Sequence, residues 1–150
     1  MQQKKQMQHI KAMMKYSFTI DGRLKGLNEL IDANRRSLKI GAKLKREEQQ
    51  KVYWYIKQQL PKIKIKDEDV IDLDIVWYEE NIKRDKDNIA SGKKYILDAM
   101  QEAELIANDN WRHIRGIKDT FVLDRKNPRI VVNINLLNKK EKEEYLSSLK

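Results

Sequence analysis

An α/β domain of the α+β kind, a small mixed sheet flanked by helices, is the fold class the sequence predicts, and three observations carry it. Runs at 16–20 and 71–78 alternate apolar and polar residues, the period of half-buried strands. Runs at 43–60 and 88–104 space their apolar residues as helices do. Strand and helix patterns interleave along 150 residues with no linker and no internal repeat, so one domain is expected over 1–150.

Residues 1–14, rich in Gln, Lys and Met, read as a basic arm or a short helix. Tyr16 to Ile20 form the first strand, and Asp21-Gly22 closes it with a turn. Residues 22–37 read as a glycine-punctuated basic loop with one helical turn. The helix at 43–60 places Leu44, Val52, Tyr55, Ile56 and Gln59 on one face, and Pro61 ends it. Residues 71–78 form the second strand, which runs directly into Asn81 and the charged segment after it. A helix over 88–104 starts at Asp87-Asn88 and turns Ile89, Ile96, Met100 and Ala103 inward. Two β-rich runs, 116–123 and 130–135, flank a turn-forming segment at 124–128 and read as a hairpin. Asn138 with Glu141 three residues later is a capping-box pattern, which predicts a C-terminal helix over 139–150.

Composition narrows the function. Lys and Arg number 32 against 23 Asp and Glu, for a net charge of +9, and such an excess favours phosphate backbones through counterion release. The absence of Cys excludes disulfides, thiol catalysis and thiolate zinc sites. No apolar run approaches membrane-spanning length and the N-terminus has no signal-peptide core, so a cytoplasmic protein without a membrane partner is expected. No Walker or Rossmann glycine pattern supports nucleotide binding.

The segment that carries chemistry is Asp85-Lys86-Asp87-Asn88. In extended backbone, residues two apart point the same way, so both carboxylates would face one site. Two hard oxygen ligands suit Mg²⁺, which commonly takes one or two protein carboxylates and keeps its waters. Lys83, Arg84 and Lys86 offset the carboxylate charge and would guide phosphate in. Along the following helix, Asp87, Ser91, Lys94 and Asp98 fall in one sector, which puts a cation beside the carboxylates. Asp109 follows the helix and would fold back as a third carboxylate. The same residues also read blandly, as a helix cap with a solvated Lys–Asp pair.

The stretch RDKDNIASGKKYILDAMQEAELIANDNW resembles the signature of the RusA family of phage and prophage Holliday junction resolvases: Asp-x-Asp-Asn entering a helix, a Lys, a segment like Leu97-Asp98-Ala99-Met100, then an acidic turn at Asn108-Asp109. The likeness is specific over 84–111, and the early strand with Asn28 and the two late strands extend it. It implies a RusA-like fold with Asp85, Asp87 and Asp109 as metal ligands and Lys94 as the catalytic Lys, with Lys93 a rival because the spacing from Asp87 is longer than in the shortest members. It further implies Mg²⁺, with Mn²⁺ as a substitute, a homodimer, and hydrolysis of four-way or other branched DNA within a bacterial host cell. The alternatives are a non-catalytic branched-DNA-binding protein and a nuclease that also takes flaps and forks.

Arg23, Lys25, Arg35, Arg36, Lys39, Lys43, Lys45 and Arg46 crowd 24 positions and, with Lys83 and Arg84, are the expected DNA-contacting surface. Of the aromatic residues, Trp54 and Trp77 read as core or interface and Trp111 as a contact for bases. His113, near Asp109, reads as a hydrogen-bonded His rather than a ligand; His9 stands far from it in the chain.

Overall fold

The computed structural model describes Gln2 and residues 14–150; the arm expected over 1–14, with His9, otherwise lies outside the described residues. In order, the elements are β1 (Lys15–Asp21), α1 (Leu27–Arg36), α2 (Leu38–Gln59), β2 (Ile71–Glu79), α3 (Lys86–Ala90), α4 (Lys93–Glu102), β3 (Ile114–Leu123), β4 (Arg129–Leu136) and α5 (Lys139–Ser148). They form the mixed α+β fold that the patterns predict. The sheet order is β1-β4-β2-β3, with β2 parallel to β3 and antiparallel to β4, and β1 antiparallel to β4.

Strand β2 sits inside the sheet, and its alternation decides the two faces. Ile71, Leu73, Ile75, Trp77 and Glu79 are buried, while Asp72, Asp74, Val76 and Tyr78 turn the other way. The inward face packs with Phe18 and Ile20 of β1, Val132 and Ile134 of β4, Val52 and Ile56 of α2, and Ile96 and Met100 of α4. Ile89, Ile96, Met100 and Ala103 are all buried, as their spacing requires. Gln59 meets the edge of β1: its amide oxygen accepts from the Thr19 N–H at 2.8 Å and its amide donates to the Thr19 carbonyl at 2.7 Å. That pairing occupies backbone groups an edge strand otherwise leaves open. Asn138 and Glu141 form the expected capping box on α5.

Four expectations are corrected. The segment read as a loop at 22–37 holds the ten-residue helix α1, which starts where the N3 residue Glu29 accepts from the Gly26 N–H at 3.0 Å. The helix expected from 43 begins at Leu38, with the Ser37 hydroxyl accepting from the Lys39 N–H. The single helix over 88–104 is two, α3 and α4, divided at Ser91-Gly92, where Gly92 abuts the Leu24 side chain. Strands β3 and β4 do not form a hairpin, because β2 lies between them. The 124–128 connection instead passes over the end of β2, where the Asp124 N–H donates to the Glu79 carbonyl at 2.7 Å. Trp54 also departs from the core reading. It is 60% exposed, because the inward phase of α2 is set by Val52 and Ile56.

At the end of α4 the chain turns through Glu104, whose φ of 58° is left-handed. This is the position where helices favour glycine, since Cβ crowds the following carbonyl. Glu104→Gly is therefore expected to raise stability by roughly 0.5–1 kcal/mol, measured as a higher midpoint in urea at unchanged slope. Its ion pair with Lys64, 3.7 Å between exposed side chains, offsets little of this.

Candidate functional site

Strands β2 and β3 run parallel, so their carboxyl ends lie together, and the crevice outside such ends is where open α/β sheets bind ligands. A pocket of about 600 Å³ opens there, and both Asp85 and Asp87 line it. The sequence reaches this place economically: β2 ends at Glu79, six residues turn the chain, and α3 begins.

Asp85 stands at the N-cap of α3 in extended backbone, yet its carboxylate makes no capping hydrogen bond. Asp85 thus holds the cap position that the bland reading gives it, without the side-chain bond of a cap. Asp87 is exposed, and its Oδ1 accepts from the Asn88 N–H at 2.9 Å. Asn88, next in the Asp-x-Asp-Asn run, is buried and structural: its Oδ1 accepts from the Asn28 N–H at 3.0 Å, tying α1 to α3. Gly26 lies so close that a Cβ there would collide with the Asn88 amide group and carbonyl. Asn28 thus contributes its backbone to the site.

A third carboxylate of the pocket, Glu79, was not singled out from the sequence. Its signal was there, since the in–out alternation of β2 puts residue 79 on the buried face. Glu79 is held between two guanidinium groups, with Oε2 2.8 Å from Arg23 Nε and Oε1 2.5 Å from Arg84 Nη2. The Arg23 contact is a charge pair without an aligned hydrogen bond. Arg84 also donates to the Leu24 carbonyl at 2.9 Å, and Arg23 reaches Glu80 at 2.7 Å. Arg23 and Arg84, expected to meet DNA, are spent on this buried network. Glu79 is charge-paired by it, which leaves Asp85 and Asp87 as the carboxylates of the pocket without a cationic partner in contact among the described residues.

The other expected site residues are dispersed. Lys94 points to solvent and pairs with Asp98 at 3.1 Å, its side chain 72% exposed. Lys93 turns the opposite way, to Asp119 of β3, whose second oxygen accepts from Trp77 Nε1 at 2.9 Å. Neither Lys lines the pocket; Lys86 does. Asp109 precedes β3, and because β3 is parallel to β2 it lies at the far end of the sheet from Asp85 and Asp87. The separation is roughly the length of β2, about 27 Å at about 3.3 Å per residue. The expected gathering of Asp109 with the pair does not occur within one chain. Among the described residues, no three His, Asp or Glu side chains are gathered to hold a metal.

The pair nevertheless fits the hard, oxygen-seeking chemistry of Mg²⁺, which asks for one or two carboxylates and fills its remaining positions with water and phosphate. No protein-family model matches the chain, and no curated protein matches it. The residue pattern over 84–111 and the geometry of this pocket are therefore what bear on function.

Of the cations expected to meet DNA, Lys25, Arg35, Arg36, Lys43, Arg46 and Lys83 are exposed, with Arg36 and Lys43 in loose helical pairs with Asp32 and Glu47. His113 is bound between Asn110 and Asp67, at 2.6 and 2.8 Å, as a hydrogen-bonded His should be. Trp111 is 77% exposed, at the Asp109 end of the sheet rather than at the pocket. In the 124–128 connection, the Arg129 hydrogen bond holds the Asp124 carboxyl below its ordinary range, helped by the Lys126 and Asn127 N–H groups. A depressed carboxyl contributes stability above its unfolded pKa and loses it as pH falls through the folded value, so this connection should loosen only under strong acid. Among the described residues, no helix is long and apolar enough to cross a membrane.

Proposed function

We propose that the chain is a magnesium-dependent endodeoxyribonuclease acting on branched DNA, four-way junctions foremost. One observation carries the reading: Asp85, uncapped, and Asp87 share a pocket with Lys86 at the carboxyl ends of two parallel strands. The net charge of +9 supports a polyanionic substrate, and the resemblance to the RusA family over 84–111 supplies the junction as its form.

In this reading Asp85 and Asp87 hold Mg²⁺, which when bound lowers the pKa of a water and screens the phosphate. The chain's own part is to fix the two carboxylates beside a basic rim. Lys83 and Lys86 draw the phosphate in, and Lys86 meets charge that develops on it. Water attacks phosphorus, the bond to the 3′ oxygen breaks, and the products carry 5′-phosphate and 3′-hydroxyl ends. A homodimer would cut symmetric strands, one per copy. A non-catalytic branched-DNA-binding protein is the second reading, favoured by the distance of Asp109 from the pair.

Cutting of end-labelled four-way junction, flap, fork and linear duplex in Mg²⁺ decides among these. The expected result is symmetric, ligatable nicks in the junction, with Mn²⁺ substituting and chelation stopping the reaction. A junction bound but intact in Mg²⁺ supports the non-catalytic reading. Equal cutting of flaps and forks points to a broader nuclease.

A further inference from the structure

The pocket has a second wall that metal-dependent chemistry does not explain. Beside the carboxylates it is lined by Ile82, Phe121 and Leu123. Ile82 is 86% exposed, the most exposed large apolar side chain among those described, and Leu123 is 45% exposed. Apolar surface grouped in a concavity marks a binding site more than a scatter of exposed residues does. Lys86 Nζ lies 5.7 Å from the centre of the Phe121 ring, so a cation of the charged wall touches the aromatic of the apolar wall.

A nucleotide offers both chemistries in one ligand, a flat apolar base and an anionic phosphate joined by a sugar. Other occupants fit less well. A bilayer does not enter a concavity, and an apolar peptide leaves Lys86 unanswered. A base inside duplex DNA is stacked and out of reach, but at a branch point or mismatch extrusion costs least. Aromatic faces accept any base by stacking.

We infer that the Ile82–Phe121–Leu123 wall receives a nucleobase unstacked at the branch point, with its phosphate beside Lys86. This rests on the branched-DNA reading above and adds that the site selects nucleotides whose base can leave the stack.

The test is binding by fluorescence anisotropy in chelator, so that nothing is cut, to a fully paired four-way junction and to one with a single mismatch at the branch. The wild type should bind the mismatched junction about tenfold more tightly. Ile82→Ala and Phe121→Leu should still bind the paired junction, but their preference should fall to about twofold or less. Ile82 is too exposed for its truncation to unfold the chain, so that variant keeps the test sound. A wild-type ratio near one, or a full ratio retained in both variants, overturns the base pocket and leaves the branched-DNA reading standing. Failure of the wild type to bind any branched DNA overturns both.

Discussion

Asp87→Asn is expected to lower junction cutting by on the order of 10³-fold while changing junction affinity by no more than about twofold. The substitution removes one negative charge and keeps the shape. It also keeps the fold, because Asp87 is exposed and its one hydrogen bond, Oδ1 accepting from the Asn88 N–H, is available to an amide oxygen. What is lost is half of a two-carboxylate site, and a hard dication gains little from a neutral amide in its place. Affinity survives because binding is carried by exposed cations elsewhere, Lys25, Arg35, Arg46 and Lys83 among them. Gel-shift and cleavage measurements on one preparation check both halves. Asn at 87 that cuts as well as Asp would remove this residue from the site.

Glu79→Gln is the second large effect and acts through the fold. Glu79 and Arg84 are nearly buried, with side-chain exposures of 9% and 13%, and Arg23 at 29% completes the set. Removing one partner of a buried ion pair leaves its charges uncompensated at a cost of about 3–5 kcal/mol. Arg23 keeps Glu80 and some solvent, so the lower end, roughly 3 kcal/mol, is expected. For a chain of this size that lowers Tm by about 6–12 °C. The network also clamps the turn between β2 and α3 to the Leu24 carbonyl, so the variant should cut poorly even at temperatures where it remains folded. Calorimetry and cleavage at low temperature separate the two losses. A Tm within about 2 °C of wild type would mean that the pair is solvated rather than buried.

The strands, the core faces and the C-terminal cap were legible because each is written locally: alternation in β2, helical phase at Ile96 and Met100, Asn138 with Glu141. Helix α1 was obscured by the Gly and charged residues around it, although Leu27, Leu30 and Ile31 carry helical spacing. Strand partners are not local information. Five turn-forming residues serve a hairpin or a step across one strand equally well, and only the sheet shows that β2 intervenes. That same pairing decides Asp109, because a strand parallel to β2 begins at the end of the sheet where β2 begins, away from Asp85 and Asp87. The sector linking Asp87 to Lys94 assumed one unbroken helix, and the turn at Ser91-Gly92 ends it. Glu79 was readable from phase alone, whereas Phe121 and Ile82 join the pocket only through tertiary placement.

The proposed nuclease activity requires a divalent metal held by Asp85 and Asp87, and titration of Mn²⁺ followed by its electron paramagnetic resonance signal tests this without DNA. The wild type is expected to bind Mn²⁺ saturably, with Mg²⁺ competing, and the binding should weaken by at least about tenfold in Asp85→Asn and in Asp87→Asn. Saturable binding that survives both substitutions unchanged, or no binding by the wild type, would contradict it.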